Sequence, residues 1–453
     1  MSERVAAVIL SAGMGTRMKS ALPKVLHPVA GKPMIGWVLD AVAGSGADPV
    51  VVVTAPAHDT VREAVSGRAA VAVQDPPLGT GHAVLASAEA LETWCRGGGT
   101  VLVCFGDTPM ITPQTLSRLV AARQAADDPA VVVLGFEPED PGQYGRLVLG
   151  PDMVLERIIE ARDATPEVLS IRLCNGGVMA IDASILFDML RRIGNDNAKG
   201  EFYLTDLVGI AHRDGRRCHV VTCDPLETQG VDSRAGLARA EAAMQDRLRA
   251  AALEGGVTMT APETVFLTHD TRLAQDVTVG PHVVFGPKVA VEEGAEIRAF
   301  SHLEGAHVGP GALVGPYARL RPGARIGAQA HIGNFVEVKN AEIEAGAKAN
   351  HLSYIGDARV GSGANIGAGT ITCNYDGTNK HHTDIGARSF IGSNTALVAP
   401  VKVGDGAIIG AGSTVTRDVA GDDLVVVRGE TKTIPGGGER LRQRNLAKKK
   451  TKG

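Results

Sequence analysis

A chain of 453 residues exceeds what one ordinary hydrophobic core serves, so two or three domains are expected. Hydrophobic residues make up 44% and charged residues 21%, a globular balance, and the formal charge of −4 gives no reason to expect nucleic acid as a partner. Aromatics are only 4% against 56 glycines, which disfavours a large sandwich core and favours folds that need tight backbone turns.

The first residues, MSERVAAVIL, lack the charged leader, long apolar stretch and cleavage site of a secretory signal, and no apolar run approaches a bilayer span. The six cysteines (Cys95, Cys104, Cys174, Cys218, Cys223 and Cys373) form no CxxC pair and read as free thiols in a reducing compartment. A cytoplasmic protein without a membrane partner is expected.

Short aliphatic runs at 5–10, 50–53, 101–105 and 130–134 read as buried parallel strands, and 35–42 and 114–123 carry helical spacing. That alternation predicts a doubly wound, Rossmann-like α/β domain over 1–233, with ligands beyond the carboxyl ends of its strands. From 234 to 255 the composition turns to Ala, Arg, Glu and Gln, with Leu237, Met244 and Leu248 on one helical face and Gly255-Gly256 as a stop. This is a linking helix.

Over 256–453 the period becomes six. Aliphatic or aromatic residues recur at Val279, Phe285, Val291, Ile297 and Leu303, slip once, and resume at Val308, Val314, Leu320, Ile326, Ile332 and Val338. A third series runs Ile385, Ile391, Leu397, Val403, Ile409 and Val415. Six is even, so each short strand keeps the same face inward, and stacked coils share one core: a parallel β-helix. The polar stretch 367–384 breaks the period and reads as an expelled, functional loop. The basic tail from Arg440 to Lys452 is expected to be partly ordered.

Chemistry is concentrated in a few strings. Leu10-Ser11-Ala12-Gly13-Met14-Gly15-Thr16-Arg17-Met18, continuing to Pro23-Lys24, follows the first strand; such turns aim backbone N–H groups at phosphate, and Arg17 and Lys24 add charge. The complete string resembles the signature of sugar-1-phosphate nucleotidyltransferases. A dinucleotide fold would want a third glycine, which is missing. Asp107 ends a buried run near that loop and is placed to hold Mg²⁺. In the repeats, His351, close in sequence to Tyr354 and the polar loop, suits the role of a general base. Arg321, Lys339 and Lys380 suit a sugar phosphate.

Across nearly all its length the sequence resembles the bacterial bifunctional N-acetylglucosamine-1-phosphate uridyltransferase/glucosamine-1-phosphate acetyltransferases, most densely at residues 351–357 and 367–377. The resemblance implies a left-handed β-helix and two reactions: acetyl transfer from acetyl-CoA to glucosamine 1-phosphate, then uridyl transfer from UTP with release of pyrophosphate. It assigns UTP and its sugar nucleotide to Leu10, Ala12, Gly13, Lys24, Gln74, Gly79, Thr80, Phe105, Gly106, Gly145, Glu160, Asn175, Tyr203 and Asp232. Asp107 and Asp232 would hold Mg²⁺, and Arg17 and Lys24 would neutralise phosphate charge. In the acetyltransferase, His351 would be the base with Glu337 orienting it, and Arg321, Lys339, Tyr354, Asn365 and Lys380 would hold glucosamine 1-phosphate. Ala368, Asn374, Tyr375, Ser393, Ala411 and Arg428 would contact acetyl-CoA. Family members are homotrimers with acetyltransferase sites where β-helices meet. The chain departs from the pattern at Phe105, where a Tyr is usual, and at Asp232, where an Asn is. A pyrophosphorylase with a passive β-helix would need none of the groups from His351 to Lys380. A degenerate, non-catalytic regulator would not keep the phosphate loop and Asp107.

Overall fold

The computed structural model describes residues 4–150, 153–429 and 431–450. The chain divides into two compact units, Met1–Ala250 and Ala251–Gly453.

In the first unit the strand Val5–Ser11 is buried at every position. Its alternate residues serve two cores. Ala6, Val8 and Leu10 pack with Leu91, Leu186 and Leu207, while Val5, Ala7 and Ile9 pack with Ile35, Val61 and Leu116. Helices therefore cover both faces, which is why these strands read as unbroken aliphatic runs. The sheet order is Cys218–Thr222, Val131–Phe136, Cys174–Asp182, Thr100–Phe105, Val5–Ser11, Val50–Thr54, Ala70–Val73. The anticipated strands are all present, and their mutual pairings are parallel. Cys174–Asp182 is the exception, antiparallel to both neighbours. Its aliphatic pattern is interrupted by Asn175, Gly176 and Gly177, where the register shifts, so it did not read as a strand.

The composition shift does form a helix, Arg234–Glu254, most of which belongs to the first unit. Its expected face is the one that packs: Leu237, Met244 and Leu248 meet Val29, Met34, Met110 and Val231 in a small third core.

The second unit is a stack of short parallel strands. Thr278 pairs with Glu296, Glu296 with Leu313 and Leu313 with His331, so one coil spans three of the hexads, and the middle of these steps is one residue short. The slip between Leu303 and Val308 falls in that shortened coil. Every residue of the hexad series is buried. The polar loop is expelled as expected: Asn365 pairs directly with Phe390 across it, and Tyr375 and Lys380 close the loop by an antiparallel bridge. Of the tail, Gly437–Lys450 is helical, and Thr451 and Lys452 lie outside the described residues. All six cysteines are free thiols. No described helix is long and apolar enough to cross a membrane.

Candidate active sites

The first site lies at the carboxyl ends of the strands Val5–Ser11 and Thr100–Phe105. A cleft of about 320 Å³ is lined by Leu10, Ala12, Gly13, Lys24, Gln74, Thr80, Phe105 and Asp107, together with Ser11, whose buried hydroxyl has no partner. Beside it, Arg17, Lys24, Asp107, Tyr144 and Asp232 line a second hollow. The two walls are tied by backbone. Gly106 N–H donates to the Leu10 carbonyl at 3.0 Å, and Val231 N–H donates to the Asp107 carbonyl at 2.9 Å. Gly106 leaves room for the Ser11 hydroxyl, since a Cβ at 106 would meet Ser11 Oγ at 2.3 Å unless that side chain turned away. Lys24 Nζ pairs with Asp107, and Arg17 pairs with Asp232 at 2.6 Å.

Gln74 fixes the other wall, its amide donating to the Gly79 carbonyl at 3.0 Å. Gly79 sits at φ 114°, and a Cβ there would meet the Phe202 carbonyl oxygen at 2.6 Å. Thr80 Oγ1 accepts from Leu204 N–H at 3.0 Å. The loop around Gly79 is thereby pinned to the segment holding Tyr203. Asn175 N–H donates to the Gly145 carbonyl at 2.8 Å, joining two more of the anticipated residues. Glu160 belongs to a cluster with Tyr203, Lys199 and Thr205. Burial holds its carboxyl above the ordinary carboxylate range, against the pull of Lys199 and a hydrogen bond from Thr205. Burial likewise raises the Tyr203 hydroxyl, with Asp163 and Glu160 adding to it.

Two carboxylates tied within one polar hollow fit Mg²⁺, which takes one or two protein carboxylates and completes its shell with phosphate oxygens and water.

In the second unit, strand pairing decides which side chains meet. His351 lies opposite Asn334 in the ladder, and its Nδ1 is 2.7 Å from Asn334 Oδ1. With Asn334 Oδ1 as acceptor, the neutral imidazole carries its proton on Nδ1 and its lone pair on Nε2. Among the described residues the contacts of Glu337, expected to orient His351, run to arginines. Glu337 lies opposite Arg319 and Tyr354 in a different ladder, and its carboxylate takes Arg321 at 2.8 Å. Asn334 carried no expected role, yet it stands one short coil before His351; stepping by the coil length would have found it.

Lys339 and Lys380 stand side by side. Lys380 above all, with desolvation and then Arg321 adding, holds the Lys339 ammonium below its ordinary value, as expected where cations gather. Asp357 accepts from Asn340 at 2.6 Å and from Asn374. Burial pushes its carboxyl up, but those bonds and the two lysines hold it below the ordinary range. A further column rises up successive coils: Asn394 N–H donates to the Ala368 carbonyl, Gly412 N–H to the Ser393 carbonyl, and Arg428 Nε to the Ala411 carbonyl at 3.0 Å. Tyr375 is exposed on the loop, its hydroxyl donating to the Gly377 carbonyl. Asn365 stands apart from these contacts, paired in the ladder with Lys348 and Phe390.

Residues 7–170 match the family described as a MobA-like NTP transferase domain. Residues 305–340 and 382–417 match the bacterial transferase hexapeptide family, six repeats. The gap between those two segments is where His351, Tyr354, Asn365 and Lys380 stand. Fold and sites thus define a nucleotidyltransferase fused to a hexapeptide-repeat acyltransferase. The chain is 55% identical over 451 residues to Bifunctional protein GlmU of Paramagnetospirillum magneticum, covering 100% of this chain and 99% of the relative. Bifunctional protein GlmU of Rhodospirillum rubrum is 58% identical, covering 97% of each chain. That of Sphingopyxis alaskensis is 52% identical, covering 99% of each. The chain belongs to the bifunctional GlmU family. It is an enzyme of UDP-N-acetylglucosamine synthesis, with an NTP-transferase domain for uridyl transfer and a hexapeptide region for acetyl transfer.

Proposed function

We propose that uridyl transfer takes place in the cleft between Leu10 and Asp232, and acetyl transfer around His351. In the first step Nε2 of His351 removes a proton from the amine of glucosamine 1-phosphate. The amine nitrogen attacks the thioester carbonyl of acetyl-CoA, the C–S bond breaks, and the departing CoA thiolate takes up that proton. Arg321, Lys339 and Lys380 hold the sugar phosphate, Tyr354 and Asn365 help to orient the sugar, and Asn334 fixes the imidazole. The column Ala368–Ser393–Ala411–Arg428, with Asn374 and Tyr375, receives acetyl-CoA.

In the second step a phosphate oxygen of N-acetylglucosamine 1-phosphate attacks the α-phosphorus of UTP in line, and the bond to pyrophosphate breaks. Gln74, Gly79 and Thr80 receive the base. Gly145, Glu160, Asn175 and Tyr203 receive the sugar. Asp107 and Asp232 would hold Mg²⁺, which would supply charge neutralisation at the phosphates. Lys24 and Arg17, which pair with these carboxylates, would face the phosphate oxygens and add to that neutralisation. The chain works as a homotrimer in the cytoplasm. Its exposed aromatic column of Phe300, Tyr317 and Phe335, stacked with centroids 4.9 and 5.2 Å apart, supports assembly.

The observation that carries the reading is the meeting of Arg17, Lys24, Asp107 and Asp232 in one hollow beside the glycine-rich loop. The test supplies glucosamine 1-phosphate, acetyl-CoA, UTP and Mg²⁺ and follows products by mass spectrometry. UDP-N-acetylglucosamine should form only with both acetyl-CoA and UTP. Acetylation absent while supplied N-acetylglucosamine 1-phosphate is still uridylylated would sink the role of His351.

A further inference from the structure

We propose that the first unit carries a second, regulatory site for a small phosphate-bearing anion, in a cavity beside the sugar-end cluster, between Arg157 and Arg213. The cavity has a volume of about 450 Å³ and shares no lining residue with the nucleotide cleft or its neighbouring hollow. Arg157, Arg192 and Arg213 line it, against Asp196 and Asp206.

The charges are not equally committed. Arg192 is held by both oxygens of Asp214, at 2.6 and 2.8 Å, so its charge is met. Among the described residues Arg157 and Arg213 enter no ion pair, and Arg213 acts on Asp206 and Asp214 only at a distance. Asp206 lines the same cavity and is the nearer counter-charge, so a bound anion competes with it for Arg213. Two unpaired guanidinium forks on one cavity match the oxygens of a phosphate, and a second phosphoryl group or a sugar ring fits the remaining volume.

The cavity is also coupled to the sugar end, on the reading above that Glu160 and Tyr203 receive the sugar. Thr205, which lines the cavity, hydrogen-bonds Glu160. Ile193, another lining residue, backs the base loop: a Cβ on Gly81 would meet its Cδ1 at 2.9 Å. An anion that draws Arg213 inward loads the Thr205–Asp206 turn and thereby moves Glu160.

The test uses the full chain with the nucleotide cleft filled by saturating UDP-N-acetylglucosamine and Mg²⁺, and for calorimetry every protein also carries K339A/K380A to remove the second unit's sugar-phosphate site. Inorganic phosphate and glucose 1,6-bisphosphate are titrated separately by calorimetry into wild type and R157A/R213A, which separates a free anion from a sugar phosphate as the ligand. One of the probes should bind wild type at one equivalent, and the variant should weaken it at least about tenfold. In the uridyl assay the same probe should shift KM for N-acetylglucosamine 1-phosphate in wild type but not in the variant, with acetyl transfer unchanged. Equal affinity in the two proteins, or no heat from either probe up to about 10 mM, overturns the site. Binding without any KM shift overturns its regulatory role. Loss of uridyl transfer in wild type would instead overturn the functional reading and leave the binding heats standing.

Discussion

Asp107 and Asp232 show how much rests on single carboxylates in the first unit. Each already has a cationic partner, Lys24 and Arg17 respectively, so replacing either acid frees a cation as well as removing a metal ligand. Asp107→Ala should lower uridyl transfer by on the order of 10³-fold and leave acetyl transfer at the wild-type rate; normal uridyl transfer in that variant would refute the metal assignment. In the second unit, His351→Ala should do the converse, costing acetyl transfer about 10²–10⁴-fold. Asn334→Ala should cost less, about tenfold to a hundredfold through misplacement of the ring, with Asn334→Asp restoring most of the rate and shifting the acid limb of the pH profile upward. An unchanged pH profile in Asn334→Asp would mean that the contact is structural only. Glu160 offers a stability test. Its folded carboxyl lies above the ordinary carboxylate value because of burial, so the folded state binds the proton more tightly than the unfolded chain. That favours folding below the ordinary value and is lost as pH rises through the folded one. Glu160→Gln should therefore raise Tm relative to wild type at pH 7, and the two should converge near pH 4; a constant difference across that range would exclude the titration as its cause.

The elements explain why some of this was legible and some was not. The hexad series fixes which residues face inward, and each of them is buried, because an even period cannot change faces. The turn after the first strand was legible only as the complete string with Arg17 and Lys24, since glycines after a strand alone are a weak signal. What escaped was contact between coils. Glu337 and His351 are separated by nearly one coil, yet they belong to different ladders. Only the exact length of the short coil pairs Asn334 with His351, and a period of six does not announce which coil is short. Strand Cys174–Asp182 escaped for another reason: its first turn spends Asn175 and two glycines on the sugar end and so lacks a strand's pattern. The expelled loop is the clearest separation of fold from function. The ladder resumes beyond it at Phe390, so replacing residues 375–380 by Gly-Gly should keep the circular dichroism spectrum while abolishing acetyl transfer. Collapse of the β signal would show that the loop supports the stack.

At the scale of the whole molecule, the two units hold their own cores: three clusters of buried residues in the first and the stacked aliphatic series in the second. Each reaction draws all of its proposed groups from one unit, uridyl transfer from residues 10–232 and acetyl transfer from residues 321–428. Such independence has a kinetic consequence. If neither unit needs the other's chemistry, the N-acetylglucosamine 1-phosphate made by one must cross solvent to reach another. A mixture of purified Asp107→Ala and His351→Ala proteins, each deficient in one step, should then convert glucosamine 1-phosphate to UDP-N-acetylglucosamine. The product should appear after a lag that shortens as protein concentration rises, because the intermediate must accumulate toward the KM of the second site. Adding a large pool of unlabelled N-acetylglucosamine 1-phosphate should dilute label from glucosamine 1-phosphate in the mixture and in wild type alike. Retention of label by wild type under that chase, with the mixture diluted, would mean that the intermediate is handed on within the assembled enzyme.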